Sequence, residues 1–340
     1  MSRRYGRWLA ATLATVLAVS VAGCGSDDDK KASAGNGGKV DKVSYMTAFG
    51  AVGRDAMVWV AKEKGYFKEA GIDVDIILGS GTDGSLKAVT SGQAQFALID
   101  MTGGMINAGN GKFDTVKTIA AIHQQTLVAV MAIEGKGVAQ PKDLINKKVG
   151  MATASVNQLL FPAYAKLAGF DDKQVKIENM PPANLGQALA ADQVNAVSTF
   201  LIGRQGLEAA TKQKLTVLPY SDYLRDLFGN SLITSDEIAT KNPDLAKRFR
   251  EALLKGLAYT IEHAEEAADI MIKDQPKAAK VAAVGEITAM TPYVKTPSGG
   301  IGTVDEAKVN RAIAILQGAG LMPAGLKADK VVAFDLAPKV

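Results

Sequence analysis

A chain of 340 residues with 39 Lys+Arg against 35 Asp+Glu lacks the concentrated basic surface that binding to nucleic acid or anionic lipid requires. Its single cysteine excludes an intrachain disulfide, so the fold must be held by burial, for which the 47% of hydrophobic residues supply the material. Two histidines, His123 and His263, far apart in the chain, do not make a metal site.

Arg3, Arg4 and Arg7 precede an apolar run from Trp8 to about Val21. That run falls short of the roughly 20 residues that span a bilayer and has the proportions of a secretory signal. Gly6 stands where a twin-arginine motif wants a large apolar residue, so general secretion is expected. Residues 1–23 are therefore predicted to be removed. With Arg3, Arg4 and Arg7 gone, 36 Lys+Arg face 35 Asp+Glu, and the basic character belongs to the signal. Val21-Ala22-Gly23-Cys24 resembles the lipobox of bacterial lipoproteins. The resemblance implies a lipid, palmitate among its chains, on Cys24, and two or more acyl chains give durable anchoring where one binds marginally. Residues 24–39 carry little that can be buried and read as a flexible tether.

The folded sequence begins near Val40, and the remaining ~300 residues suit two lobes, because single cores stop growing at about 250–300 residues. "VSYMTAF" predicts a strand, and "RDAMVWVAKEKG" a helix that Gly65 closes. "GIDVDIILG" alternates Ile72, Val74 and Ile76 with Asp73 and Asp75 as a strand does. "GTDGSLKAVTSG" then reads as a helix and "AQFALID" as a strand. This alternation predicts an α/β fold with largely parallel sheets. "LKAVTSGQAQFALID" (86–100) and "GQALAADQVNAVSTF" (186–200) share one design, a helix, a turn closing on Gln93 or Gln193, and a short apolar strand, which predicts two lobes of similar topology. "TLVAVMAI" (126–133) and "GNSLITS" (229–235) are read as the two chain crossings of a hinge. Leu245, Phe249, Leu253, Leu257 and Ile261 mark one face of a long helix over 243–267, and the residues C-terminal to it are expected to pack as helices on the first lobe. Lobe 1 is expected to comprise 40–128 and 230–340, and lobe 2 to comprise 129–229.

"AKEKGYFKEAGIDVDI", "SGQAQFALID" and "PKDLINKKVGMATA", followed by "KVNRAIAILQGAGLMP", together resemble the bacterial substrate-binding proteins of the nitrate, sulfonate, taurine and thiamine-pyrimidine branch, over about residues 43–322. The resemblance implies a two-lobed type II periplasmic binding protein fold with a two-strand hinge. It also implies a small ligand held between closing lobes, and an ABC transporter permease, with its ATPase, as partner. Location on the outer face of the cell membrane, a monomeric state and the absence of a cofactor go with it. "FGAVGRDAM" departs from the Asn-His-type segment of thiamine-pyrimidine binders, which leaves the ligand open. A fungal pyrimidine-forming enzyme that the family also resembles uses cysteines and histidines that this chain lacks, so no catalysis is expected, and an enzyme on the same fold stands as the lesser alternative.

In open α/β sheets ligands sit beyond the carboxyl ends of strands. Those positions are Thr47, Phe49, Gly50, Arg54, Ser80, Thr82, Asp100, Met101 and Thr102 in the first lobe, and Thr153, Ser155, Asn157, Thr199 and Phe200 in the second. Hydroxyls and amides there would hydrogen-bond a ligand while Phe49, Met101 and Phe200 pack against it. Thr82, Thr102 and Ser155 equally suit helix N-caps. Arg54 would clamp an anion or stand as a solvated charge, and Asp100 would accept from a ring N–H or cap a helix. One cation against Asp55 and Asp100 favours a pyrimidine-like nitrogenous ring, with an aliphatic sulfonate, taurine or nitrate-type anion as the alternative.

Overall fold

The computed structural model describes residues 40–153 and 155–339. The signal, the tether and Cys24 lie outside the described residues. Among the described residues ten strands form two five-stranded sheets. They are β1 (Asp41–Met46), β2 (Ile72–Ile77), β3 (Phe96–Asp100), β4 (Val116–Ala121), β5 (Val128–Ile133), β6 (Lys148–Met151), β7 (Lys176–Asn179), β8 (Ala196–Phe200), β9 (Leu215–Pro219) and β10 (Asn230–Ser235). Their orders are β2-β1-β3-β10-β4 and β7-β6-β8-β5-β9, the same topology used twice.

The expected parallel character is nearly complete, with one exception per sheet. β10 runs antiparallel to β3 and β4, and β5 antiparallel to β8 and β9. These are the strands that arrive from the other sheet, so their direction is inherited from the crossing. The crossing segments are not the predicted stretches themselves, which are mostly buried strand. They are the connectors 122–127 and 220–229, which hydrogen-bond to each other: Thr126 N–H donates to Leu227 O at 2.7 Å and Gly229 N–H to His123 O at 3.2 Å.

The internal similarity extends to single bonds, since β3 and β8 lie 100 positions apart. Before each, one left-handed residue turns the chain, Gly92 at φ 77° and Asp192 at φ 54°. The side chain that closes the turn comes two residues later than expected. Gln95 Oε1 accepts from Ser44 N–H at 2.8 Å, and Asn195 Oδ1 accepts from Lys148 N–H at 2.9 Å.

The first core is built on the helix Pro243–Glu262, whose Phe249, Leu253 and Leu257 are fully buried. The Phe249 ring stacks on Phe96 at 4.1 Å and Phe67 at 5.0 Å, and tilts against Tyr45 at 5.7 Å. The helix ends earlier than the periodicity predicted. His263 leaves helical geometry (φ −132°, ψ 57°) and a separate helix, Ala264–Asp274, succeeds it. Further along, the helix Lys280–Met290 does not pack on the first lobe alone. It bridges Gly53–Asp55 and the segment Leu201–Thr211 that comes after β8. Among the described residues no helix is long and apolar enough to cross a membrane.

Deleting the Phe249 ring removes its stacking partners' contacts as well as its own buried area. Phe249→Ala is expected to cost about 3–5 kcal/mol in urea denaturation. Gly256→Ala is expected to destabilise too, because a Cβ there would lie 2.4 Å from Met57 O. A wild-type denaturation midpoint in both variants would refute this account of the core.

Candidate functional site

The carboxyl ends of β1, β2 and β3 face those of β6, β7 and β8 across a cavity of about 830 Å³. Phe49, Arg54, Ser80, Thr82 and Asp100 line it from one sheet, and Thr153, Ser155, Asn157, Thr199 and Phe200 from the other. Four expected residues do not. The Thr47 hydroxyl is buried, donating to Gly50 O at 2.7 Å and accepting from Gly79 N–H at 3.0 Å. It shapes the loop, and Gly50, at φ 64°, makes the loop's turn. Met101 is core, packed with Met105 and Ile106. Thr102 is buried and ties its helix to a crossing segment by donating to Phe228 O at 2.9 Å.

The caps also differ from expectation. Gly81, not Thr82, precedes the helix Thr82–Thr90, and Thr82 Oγ1 accepts from Asp100 N–H at 3.4 Å. Asp100, not Thr102, caps the helix Met101–Gly109, its Oδ1 accepting from Gly103 N–H at 3.0 Å. Ser155 does cap the helix Val156–Leu167, accepting from Gln158 N–H at 3.3 Å. Capping uses one oxygen of Asp100 and leaves Oδ2 buried without a partner. Burial raises the Asp100 carboxyl from 3.8 to about 7, against the smaller lowering effect of the Gly103 and Thr102 amides.

Arg54 is neither solvated nor free. It is 7% exposed on the 3-10 turn Gly53–Asp55. Its guanidinium lies 3.8 Å from Glu286 and 4.8 Å from the centre of the Phe200 ring, which comes from the opposite sheet. Asp55 is wholly buried behind it, accepts from the Ala48 and Phe49 amides at 3.4 Å, and is pushed by burial to about 6. His123 is on the first crossing segment, against Gly229 of the second. Its Nδ1 accepts from Asn230 N–H at 3.3 Å, and burial, then the Arg54 charge, lowers it to about 3. The ring is therefore neutral, with its proton on Nε2. On the far wall Asn157 Nδ2 donates to Ser198 Oγ at 3.4 Å, and Tyr220 Oη lies 3.1 Å from the same Ser198 oxygen. His263 belongs to a helix junction, its ring tilted against Tyr259 at 4.2 Å. Among the described residues no group of three or more His, Cys, Asp or Glu could hold a metal ion.

Several lining residues had not been anticipated. Met180, Pro181 and Pro182 come after β7 as Ser80, Gly81 and Thr82 come after β2, 100 positions earlier. The internal similarity was a sufficient signal for them. Asn230 stands opposite Asp100 in the β3–β10 register, which only strand pairing reveals. Glu286 arrives on a helix nearly two hundred residues after β3, and no local pattern marks it.

The folded protein holds a proton on Asp100 up to about pH 7, whereas the unfolded chain loses it near an ordinary carboxylate value. This contribution to stability is thus fullest below about pH 4 and is lost as pH rises through 7. Asp55 carries the same sign over a lower range. Asp100→Asn keeps a capping side chain and is expected to flatten, without abolishing, the fall in melting temperature between pH 5.5 and 8. Parallel curves for variant and wild type would contradict the buried-carboxylate assignment.

Among relatives, the chain is 24% identical over 223 residues to the formylaminopyrimidine-binding protein of Halalkalibacterium halodurans, covering 65% of this chain and 67% of that one. It is 22% identical over 296 residues to the riboflavin-binding protein RibY of Chloroflexus aurantiacus, covering 83% and 82%. Other relatives are likewise named as binding proteins. One from Legionella pneumophila, 25% identical over 65% of this chain and 69% of its own, is named a 4-amino-5-hydroxymethyl-2-methylpyrimidine phosphate synthase. The fold matches the periplasmic aliphatic sulphonate binding protein SsuA from Escherichia coli with a TM-score of 0.68 at 14% identity, covering 87% of this chain and 98% of that one. With two sheets of one topology facing each other across a cavity, and with the family model described as NMT1/THI5 like matching residues 55–267, the chain belongs to the NMT1/THI5-like family.

Proposed function

We infer that this protein is the extracytoplasmic solute-binding component of an ABC importer, that it takes a pyrimidine-containing ring compound between its lobes, and that it does not itself catalyse a reaction. The lobes are taken as 40–128 with 230–340, and 129–229. A lipid on Cys24 would hold the receptor at the membrane beside its permease.

The observation that carries the ligand class is the charge state of the cavity wall. Arg54, the cation facing the cavity, is already engaged by Glu286 and by the Phe200 ring, whereas Asp100 retains an unpartnered oxygen. A small anion would meet an arginine already paired with Glu286 and no second cation among the described lining residues. A ring with N–H groups would meet Phe49 and Phe200, one from each sheet, and an acceptor. Both ligands in the relatives' names contain a pyrimidine ring, free in one and fused into the flavin in the other. The cavity volume suits a substituted or fused ring better than a bare six-membered one, since sites for drug-sized ligands run to roughly 300–1,000 Å³. The non-catalytic reading is supported by the chain's chemistry. Its two histidines are a neutral buried residue and a helix-junction residue, and its single thiol is the proposed acylation site.

A thermal-shift panel tests the ligand class, because a ligand at about 100 times its dissociation constant adds roughly 2.7 kcal/mol of stability. Riboflavin or 4-amino-5-hydroxymethyl-2-methylpyrimidine is expected to raise the melting temperature, and alkanesulfonates to leave it unchanged. The reverse pattern, with Arg54→Ala abolishing the sulfonate shift, would replace the ring compound by an anion. For the anchor, Cys24→Ser is expected to accumulate as unprocessed precursor or to appear in the soluble fraction with a normally folded body. Failure of the wild type to incorporate labelled fatty acid would refute lipidation.

A further inference from the structure

Among the described residues, the buried side-chain atoms without a hydrogen-bond partner include Asp100 Oδ2, Asn230 Nδ2 and His123 Nε2, on three residues joined by strand register and one hydrogen bond. Asn230 stands directly opposite Asp100 across β3 and β10, and its backbone N–H is held by His123 Nδ1. Asp100 and Asn230, 4% and 5% exposed, both line the cavity. The other buried orphans, Tyr45 Oη, Tyr164 Oη, Arg250 Nε and Thr303 Oγ1, belong to residues that do not line it. An acceptor and a donor on directly opposed strand residues, both lining the cavity, match a planar edge carrying an N–H next to an acceptor.

We propose that Asp100 and Asn230 together read the hydrogen-bonding edge of the ligand, Asp100 accepting its N–H and Asn230 donating to the neighbouring ring nitrogen or carbonyl. This deepens the receptor reading above and rests on it. Directly opposed residues of an antiparallel pair project from the same face with Cβ atoms about 4.5–5.5 Å apart, so one flat edge can meet both side chains. A 4-aminopyrimidine offers such an edge through its amino group and adjacent ring nitrogen. The pyrimidinedione of a flavin offers it through N3–H and a flanking carbonyl. The pair thus accepts both ring types and rejects two neighbours in chemical space. A sulfonate has acceptors only and brings no N–H to Asp100, and an N-alkylated ring has lost its donor. His123 is a positioning residue that fixes the Asn230 backbone and does not reach the ligand.

Binding is measured by calorimetry with four probes: riboflavin, 3-methylriboflavin, 4-amino-5-hydroxymethyl-2-methylpyrimidine and its 4-dimethylamino analogue. With wild-type protein, whichever parent binds is expected to do so at least about tenfold more tightly than its methylated analogue, because a site built around a hydrogen bond rejects the compound that lacks it. Asp100→Asn is expected to shrink that ratio, and Asn230→Ala to weaken the parent by about tenfold. The wild-type comparison does not depend on either variant folding. Equal affinity of wild type for parent and methylated analogue, or unchanged affinity in folded variants, overturns the edge assignment and leaves the receptor reading in place. If neither parent binds, the edge assignment falls together with the pyrimidine ligand class, and binding of an alkanesulfonate in their place would keep the receptor with an anion as its ligand.

Discussion

Two short segments, 122–127 and 220–229, run side by side and hydrogen-bond to each other, and the geometry of everything else depends on that pairing. Because the chain crosses twice, each sheet must accept one strand travelling against the rest, β10 in the first and β5 in the second. That strand lies fourth in each order, against the strand whose carboxyl end reaches the cavity. The crossings are braced from outside by Lys308, whose ammonium donates to Gln124 O and lies 4.5 Å over the Phe228 ring. Asn230 owes its place opposite Asp100 to being the first strand residue after the return crossing. The crossings and the cavity wall are therefore built from neighbouring residues.

The two halves repeat a topology but divide the chemistry. The first supplies charge, with Arg54, Asp100 and the Glu286 that arrives from the C-terminal helices. The second supplies hydroxyls, amides, the Pro181-Pro182 segment and Phe200. Contact across the cavity is already made where the Arg54 guanidinium meets the Phe200 ring. A cation–π contact of this kind is worth about a kcal/mol.

Much of the architecture was legible in the chain. Period-2 alternation in Ile72–Ile77, the four-residue spacing through Phe249, Leu253 and Leu257, and the likeness of 86–100 to 186–200 are local patterns. They reflect local physics: alternation across a strand, one face of a helix, a turn that must be left-handed. The residues after strand ends were legible for the same reason, and the ones missed in the second half could have been found by carrying the spacing of 100 from Gly79–Thr82 to Asn179–Pro182. Local letters could not separate a residue that lines a cavity from its neighbour that holds the loop. Thr47 and Thr102 look like Thr82, yet their hydroxyls are consumed by backbone groups brought close only by folding.

The sequence by itself determined that the chain builds α/β layers, that two halves share a plan, and that strand ends carry the polar residues, because each of these is a consequence of periodicity and turn chemistry within a short window. The tertiary structure alone decided the state of each charge. Arg54 is occupied because Glu286 comes to it on the distant helix Lys280–Met290, and Asp100 faces Asn230 because a crossing returns the chain antiparallel. His123 is neutral because both crossings bury it. Desolvation and pairing depend on what surrounds a group in space, and no window of sequence contains that.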